Sequence, residues 1–494
     1  MYSFRRTVLL VVMIFTFLSA GCVTQNEQVA NKSSLPTNTT QPQPTPNTAK
    51  NSSADAQQAV PITLPVLDAF FANETFTADL KSKLGLSDEQ IERLKNVARD
   101  ETSKLRETDK GDYNGSTAGA HTLAMEKIEG IIGEEKAREL SALVSERWSG
   151  SNTQGTKSSY ANSNPNAIPG DTRIVINAPA YRMDVFENGQ LIKSYKVGIG
   201  YPEFPLPTGL REAETIIFNP TWTPPDEPWV EGSKGIEVGK KIEAGSKKNP
   251  LGLIKIPIGL PSLIHGGKSP NKLGSFASHG CVGLTDPLIQ DFTQVLANIS
   301  GTELTSEEIK RRARNRSETQ TVKLAKTVPV ELRYETILVE DGKLHIYRDV
   351  YERGTNSVEN LRRVLETYGV TLDQLSEAER AKVMDALSEM SRDAKGNPIT
   401  PESSDATTDK NNGQTENTGH SKKASTAQVT RTIKGQKEIV IEIAALSGKG
   451  YPAPTNNTLK KQLSKAMSAP RAILAQDTSL ALLNCKEGLC QSAS

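Results

Sequence analysis

Two histidines and a cysteine stand close together in a chain that has few of either. Ser278-His279-Gly280-Cys281-Val282-Gly283-Leu284 closes a window that opens at His265-Gly266, and all 494 residues hold four cysteines and five histidines. A thiol becomes a competent nucleophile when a base takes its proton, and a neutral imidazole with a pKa of about 6.5 suits that task. The pattern points to acyl transfer through Cys281. Gly280 lets the chain bend before the nucleophile and lets a substrate approach closely. A buried structural cysteine is the plainer alternative, but it leaves the flanking glycines and nearby histidines unexplained. Zinc held by His265, His279 and Cys281 would use the same residues, yet no fourth ligand or second cysteine cluster lies nearby. Spacing does not choose the base. An extended chain puts His279 and Cys281 on one face, a turn does not, and His265 approaches from a separate strand.

The elements that must position these groups are mostly strands. Arg173 to Ile176 is one candidate, and Arg182 to Phe186 and Leu191 to Val197 flank Asn188-Gly189, a two-residue hairpin signal. Thr215 to Phe218, Leu251 to Ile258 and Ser262 to Ile264 continue the pattern up to His265. Val328 to Tyr334 and Leu344 to Tyr347 bracket a turn at Asp341-Gly342. Helices are expected at Pro287 to Ile299, with Thr285 as cap, and at Ser306 to Arg314. His345 alternates with Leu344 and Ile346 and reads as an ordinary strand residue. The fold class is a multidomain α+β chain: a mainly antiparallel β sandwich or barrel, flanked by small helical segments and disordered linkers.

The rest of the chain divides where composition shifts. Arg5 and Arg6, the apolar run Val8 to Leu18 and the small residues Ser19 to Gly21 form a secretory signal. Leu18-Ser19-Ala20-Gly21-Cys22 resembles a bacterial lipobox, which makes Cys22 the lipidated first residue and 1–22 the signal. Ordinary cleavage nearby or an uncleaved anchor are the alternatives. Residues 23–60 are a polar tether, and 61–150 carry helical stripes after the Ser87-Asp88-Glu89-Gln90 capping box and around Gly133. A linker spans 151–169. Helical patterns return in 354–393, where Ser376 to Glu379 is a second capping box, followed by a polar linker 394–432 and a segment 433–494 of unknown role. In that last segment Lys437 to Ala445 reads as a strand and Leu459 to Met467 as a short helix. Export permits disulfides, and Cys485 and Cys490 could pair, leaving Cys281 as the odd thiol. His121 reads as a surface or cap residue. A net charge of +1 gives no sign of a nucleic-acid partner.

The segment from Ile264-His265-Gly266 through Gly274 to Ser278-His279-Gly280-Cys281-Val282 resembles the signature of bacterial L,D-transpeptidase catalytic domains, the YkuD type. Tyr181 to Val185, Val197-Gly198-Ile199-Gly200, Phe204 to Gly209 and Asn219 to Pro225 agree with it, so the resemblance covers roughly 170–353. It implies that Cys281 attacks the carbonyl of the third residue of a peptidoglycan stem tetrapeptide, with His265 as proton acceptor and donor. The His265 ring would be oriented by a carbonyl such as that of Gly266. The terminal D-alanine leaves, and an amine, or water, resolves the thioester. Gly280 and Cys281 N–H groups, helped by His279, are expected to hold the oxyanion, and Ser278 to orient His279. The family commonly has arginine two places after the nucleophile, where this chain has Gly283.

Trp222 and Trp229 lie in a proline-rich stretch expected along the substrate cleft, where stacking on a stem or glycan and loop anchoring are equal readings. Lys268 and Lys272 fall in the loop between the histidines, a natural lid whose lysines are candidates for stem carboxylates, with a solvated loop as the plainer reading. No cofactor is implied. The implied partners are peptidoglycan stems and, through Cys22, a membrane. Envelope proteins are candidate partners for 61–150, which a plain spacer role explains equally well. The implied location is the periplasmic face of the cell envelope, at the outer membrane in a two-membrane organism. Two other readings share these residues, a stem-trimming or lipoprotein-detaching hydrolase and a non-catalytic envelope binder.

Overall fold

The computed structural model describes residues 61–71, 73–104, 116–148, 164–224, 235–237, 239–259, 262–316, 318–393, 396 and 433–455. Among the described residues the first elements are five helices: α1 (Leu64–Phe71), α2 (Glu74–Leu84), α3 (Asp88–Lys104), α4 (Thr117–Ile132) and α5 (Glu134–Trp148). The capping box at Ser87 forms as expected, with Ser87 N donating to Gln90 Oε1 at 3.0 Å and Gln90 N to Ser87 Oγ at 3.2 Å. Ile91, Leu94 and Ala98 of α3 meet Ala124 and Ile128 of α4 and Leu140, Val144 and Trp148 of α5 in one buried cluster. The two short helices α1 and α2 were not legible in the sequence, and they add Leu67, Phe70, Phe76 and Leu80 to that cluster. His121 lies with Nδ1 2.8 Å from the carbonyl of Ile62, tying α4 to the segment before α1.

The main sheet follows. Its strands are β1 (Arg173–Asn177), β2 (Arg182–Glu187), β3 (Gln190–Lys196), β5 (Gly209–Phe218), β6 (Ile254–Pro257), β7 (Leu263–His265), β9 (Val282–Gly283) and β10 (Gln320–Arg333). Their spatial order is β3-β2-β1-β10-β5-β6-β7-β9, and β4 (Ile199–Gly200) pairs with β8 (Phe276–Ser278) beside it. Pairing is antiparallel except for β1 with β10 and β7 with β9 in the main sheet, and β4 with β8. Asn188 and Gly189 turn β2 into β3 with φ of +50° and +82°, the hairpin that their types predict. Gly198, just past β3, exchanges two 2.9 Å backbone hydrogen bonds with Gly283 of β9. This bridge joins the two ends of the strand order and curls the sheet toward closure.

One helix braces the curl. α6 (Asp286–Ser300) starts at Thr285, whose side chain accepts from Leu288 N, and buries Ile289, Phe292, Leu296 and Ala297 at helical spacing. Those side chains pack with Ile254, Ile256, Ile264, Val282 and Leu284 from the strands that carry the candidate site. α7 (Ser306–Arg314) follows, with the capping box of Thr305 and Glu308.

The chain beyond β10 forms a second sheet. β11 (Ile337–Glu340) and β12 (Lys343–Tyr347) turn at Asp341-Gly342, and β13 (Glu438–Glu442) pairs with the outer edge of β12. α8 (Val358–Thr367) and α9 (Glu377–Met390) cover this sheet through Leu361, Leu365, Val383 and Leu387. The position 353 thus falls between strands and helices that share one core. His345 sits in β12 with Nδ1 2.6 Å from Glu438 Oε1 of β13. The helix expected at Leu459 to Met467 lies outside the described residues.

Candidate active site

The register of three strands gathers the chemistry. Lys255 of β6 pairs with His265 of β7, and His265 pairs with Gly283 of β9. Paired residues face the same side, so these three positions form a row across the sheet. Cys281, two residues before Gly283, returns to that face. Cys281 thus directly precedes β9, and His265 ends β7, the parallel strand that pairs with β9.

His265 is 3% exposed, and its Nδ1 lies 2.8 Å from the carbonyl of Gly266. A nitrogen facing a carbonyl carries the proton, which leaves Nε2 of the neutral ring as an acceptor. Burial, reinforced by the charge of Lys268, pushes the His265 pKa down to about 3, although the carbonyls of Gly266 and Leu251 favour protonation. The ring is neutral, and so able to accept a proton, across the physiological range. Burial also raises the Cys281 thiol, while the backbone of Leu263 and the ammonium groups of Lys268 and Lys255 lower it. The resting pair is thiol and neutral imidazole.

The turn into the cysteine is tightly specified. Gly280 has φ of +87°, a conformation that L side chains avoid. Ser262, 1% exposed, donates to the Gly280 carbonyl at 3.0 Å. Ser278 Oγ accepts from Cys281 N at 3.0 Å and donates to Cys281 O at 2.5 Å. Ser278 thus fastens the cysteine backbone, where the sequence suggested that it orients His279. The Cys281 N–H, expected in an oxyanion hole, is engaged by that serine.

His279, whose face its spacing left open, packs into an aromatic cluster. Its ring lies edge-on against Tyr201 and Phe204, with centroids 5.2 and 4.7 Å away. Burial and the charge of Lys268 push its pKa down to about 3. The Tyr201–Phe204 turn is itself pinned, since Tyr201 N donates to Ser278 O at 2.9 Å and Phe204 N to Tyr201 O at 2.9 Å. From the helical unit, Thr63 Oγ1 donates to Glu203 O and Thr117 Oγ1 to Pro202 O, each at 2.7 Å. The five helices therefore grip the turn that packs on His279.

Asp286 went unnoticed in the sequence. As first residue of α6 it accepts from Gly267 N at 2.9 Å and from Leu253 N at 3.1 Å through Oδ1. It thereby fixes the turn after His265 whose Gly266 carbonyl holds the imidazole. An acidic residue in a helix's first turn is common enough for the helix dipole alone, so its type gave no signal.

Lys268 leaves the end of β7 with its N–H on Leu284 O at 3.0 Å. Burial brings its pKa down to about 8, Cys281 opposes that shift, and Lys272 adds to it. Lys272 ends a single 3-10 turn, Pro270–Lys272, in the same loop, and Lys437 Nζ from the C-terminal segment donates to Gly274 O at 2.5 Å. Trp222 is anchored by backbone hydrogen bonds to Ile242 of 2.9 and 2.7 Å. Cys22, Trp229, Cys485 and Cys490 lie outside the described residues. Among the described residues no three His, Cys, Asp or Glu side chains converge as a metal-ligand set, and no helix is long and apolar enough to cross a membrane.

Comparison with known proteins finds a likeness over the part of the chain that holds this site. Residues 171–306 match the model of the L,D-transpeptidase catalytic domain, YkuD. No curated protein matches the chain. Among solved structures, the catalytic domain of the E. faecium L,D-transpeptidase is 14% identical with a TM-score of 0.22, over 34% of this chain and 100% of that one. An L,D-transpeptidase from Mycobacterium smegmatis is 14% identical with a TM-score of 0.19, over 33% and 58%. L,D-transpeptidase 3 from Mycobacterium tuberculosis is 13% identical with a TM-score of 0.20, over 33% and 60%. The chain spans about half to three fifths of the longer of these proteins.

Proposed function

We infer that this chain, whose residues 171–306 form an L,D-transpeptidase catalytic domain, is a cysteine-dependent enzyme that cross-links or remodels peptidoglycan. The observation that carries the reading is the placement of His265 at the end of β7 and of Cys281 immediately before β9, its parallel neighbour, with the imidazole held by the Gly266 carbonyl. His265 Nε2 takes the Cys281 proton as sulfur attacks the carbonyl of the third residue of a stem tetrapeptide. The C–N bond to the terminal D-alanine then breaks, and the same imidazole returns the proton to the departing amine. An amine from a second stem attacks the thioester, loses its proton to His265 and restores the thiol. Water in place of the amine makes the product a tripeptide.

The backbone N–H of Gly280 is the remaining oxyanion donor of this turn, because Ser278 occupies that of Cys281. His279, wedged against Tyr201 and Phe204, acts as a positioning residue for the 278–281 turn. Lys268 and Trp222 are the proposed substrate contacts, and Gly283 shapes the space beside the thiol. Lipidation at Cys22 would hold the enzyme on the periplasmic face of the envelope, at the outer membrane in a two-membrane organism. Pairing of Cys485 with Cys490 would keep those thiols from competing with Cys281.

The test is incubation of the full chain, in detergent, with purified disaccharide-tetrapeptide, followed by mass spectrometry with Cys281→Ala alongside. Cross-linked dimers that have lost one D-alanine, absent in the variant, are the expected result. Tripeptide alone would shift the assignment to a carboxypeptidase. Unchanged substrate without an adduct on Cys281 would overturn the enzymatic reading.

A further inference from the structure

Gly283 stands where nothing in the backbone calls for glycine. It is a strand residue of β9 that lies outside the positive-φ region, and its N–H and carbonyl are both bonded to Gly198. A side chain there would have to displace a neighbour. A Cβ at 283 would lie 2.7 Å from Cγ of Lys268, 3.0 Å from Cε and 3.4 Å from Cδ. The lysine stem runs across the glycine, with its own backbone fixed to the next residue of β9, Leu284.

We propose that Gly283 and Lys268 work as one unit, in which the missing side chain on β9 seats the stem of a loop lysine and so holds a cation against the Cys281 thiolate. The proposal rests on Cys281 being the nucleophile and names the group that stabilises its anion. A side chain at 283 would project from the row of Lys255 and His265, and the Lys268 stem crosses that row from outside the strand. The charged and titratable groups that Lys268 influences, or that influence it, are Cys281, Lys272, His265 and His279, with no carboxylate among them. Its ammonium is therefore not held by a protein anion in that set. Lys255, the other cation that Cys281 senses, comes from β6, and the three atoms nearest a Cβ at 283 all belong to Lys268.

The experiment reads the thiol itself, so its outcome does not depend on finding the substrate. The full chain in detergent is treated with iodoacetamide from pH 6 to 11, and the adduct on the Cys281 peptide is followed by mass spectrometry. One opposing charge close to an ionisable group shifts its pKa by about one unit or more. Lys268→Met should slow alkylation at pH 7, where the lysine still carries its charge, roughly tenfold, whereas Lys268→Arg should stay within about threefold of the parent. Gly283→Ala should reproduce the Lys268→Met slowing by displacing the stem. The double variant should be no worse than Lys268→Met alone, because residues that act through one contact do not add. An unchanged rate at pH 7 in Lys268→Met would overturn the proposal, as would additive slowing in the double variant. If Gly283→Ala does not fold, the Lys268→Met and Lys268→Arg pair decides alone. Slowing in Lys255→Met without slowing in Lys268→Met would also refute it. Failure of the peptidoglycan assay with an intact lysine effect would refute the enzymatic reading and leave only the lysine–thiol contact standing.

Discussion

Replacing Asp286 by alanine removes two hydrogen bonds to a carboxylate, one from Gly267 N and one from Leu253 N. Hydrogen bonds to charged groups are each worth about 1.5–3 kcal/mol. The Gly267 bond is exposed, so water recovers most of it, while Leu253 N is partly buried and loses more. Loss of an acid from the first turn of α6 adds about 0.5 kcal/mol. The sum is a destabilisation of about 2–3 kcal/mol, measurable by urea unfolding. The catalytic cost should be larger in proportion. Freed of Asp286, the Gly266–Gly267 backbone can drift, and a displacement of about 1 Å in a positioning group costs on the order of 100-fold in rate. Asp286→Asn keeps an oxygen toward the two N–H groups and should lose only about tenfold. Tetrapeptide turnover by folded variant protein, assayed well below its denaturation midpoint, separates the two effects. Turnover by Asp286→Ala within twofold of the parent would refute the idea that this carboxylate positions His265.

Two further outcomes follow from burial and from the domain contact. Because the folded His265 ring resists protonation down to pH about 3 while an unfolded histidine titrates near 6.5, stability falls as pH drops below 6.5. The loss at pH 5 is about 2 kcal/mol, and a His265→Gln variant should show a correspondingly shallower acid slope in urea melts. By the same shift, kcat/KM should show no acid limb near pH 6.5, and such a limb would contradict a buried neutral base. Thr63→Val with Thr117→Val removes both hydroxyl donors to the Tyr201–Phe204 turn. About 2–3 kcal/mol of stability should go with them, together with a severalfold drop in turnover at unchanged KM. Unaltered turnover in a folded double variant would show that the helices do not hold the site.

The sequence carried the reacting groups and the local turns well, because their signals are short-range. The Cys281 motif, the Asn188-Gly189 hairpin and the capping boxes at Ser87 and Ser376 each depend on a few neighbouring residues. What escaped was long-range. Asp286 reads as an ordinary helix-start acid until folding brings Gly267 and Leu253 to it, and Ser262 meets Gly280 only through strand pairing. The placement of His279 depends on Tyr201 and Phe204, far away in the chain. Gly283 looked like a departure from the family pattern, and the space it leaves is taken by a lysine from another loop. The pairing of β12 with β13 spans so many residues that no periodicity could announce it.

That last pairing has a consequence for how the molecule is made. β13 arrives long after β12 has left the ribosome, and closing so long a loop is slow and entropically costly. Until it arrives, the outer edge of β12 offers unpaired N–H and carbonyl groups beside the apolar Leu344 and Ile346, a template for pairing with other chains. Past β13 the same segment seals the main sheet: Tyr451 packs on Phe186, Arg182 donates to Pro452 O at 2.9 Å, and Ser194 N donates to Thr455 Oγ1 at 3.1 Å. The C-terminal segment therefore serves as a receipt for complete synthesis. A nascent chain halted before residue 438 carries every residue of the catalytic motif and an open edge that marks it as unfinished.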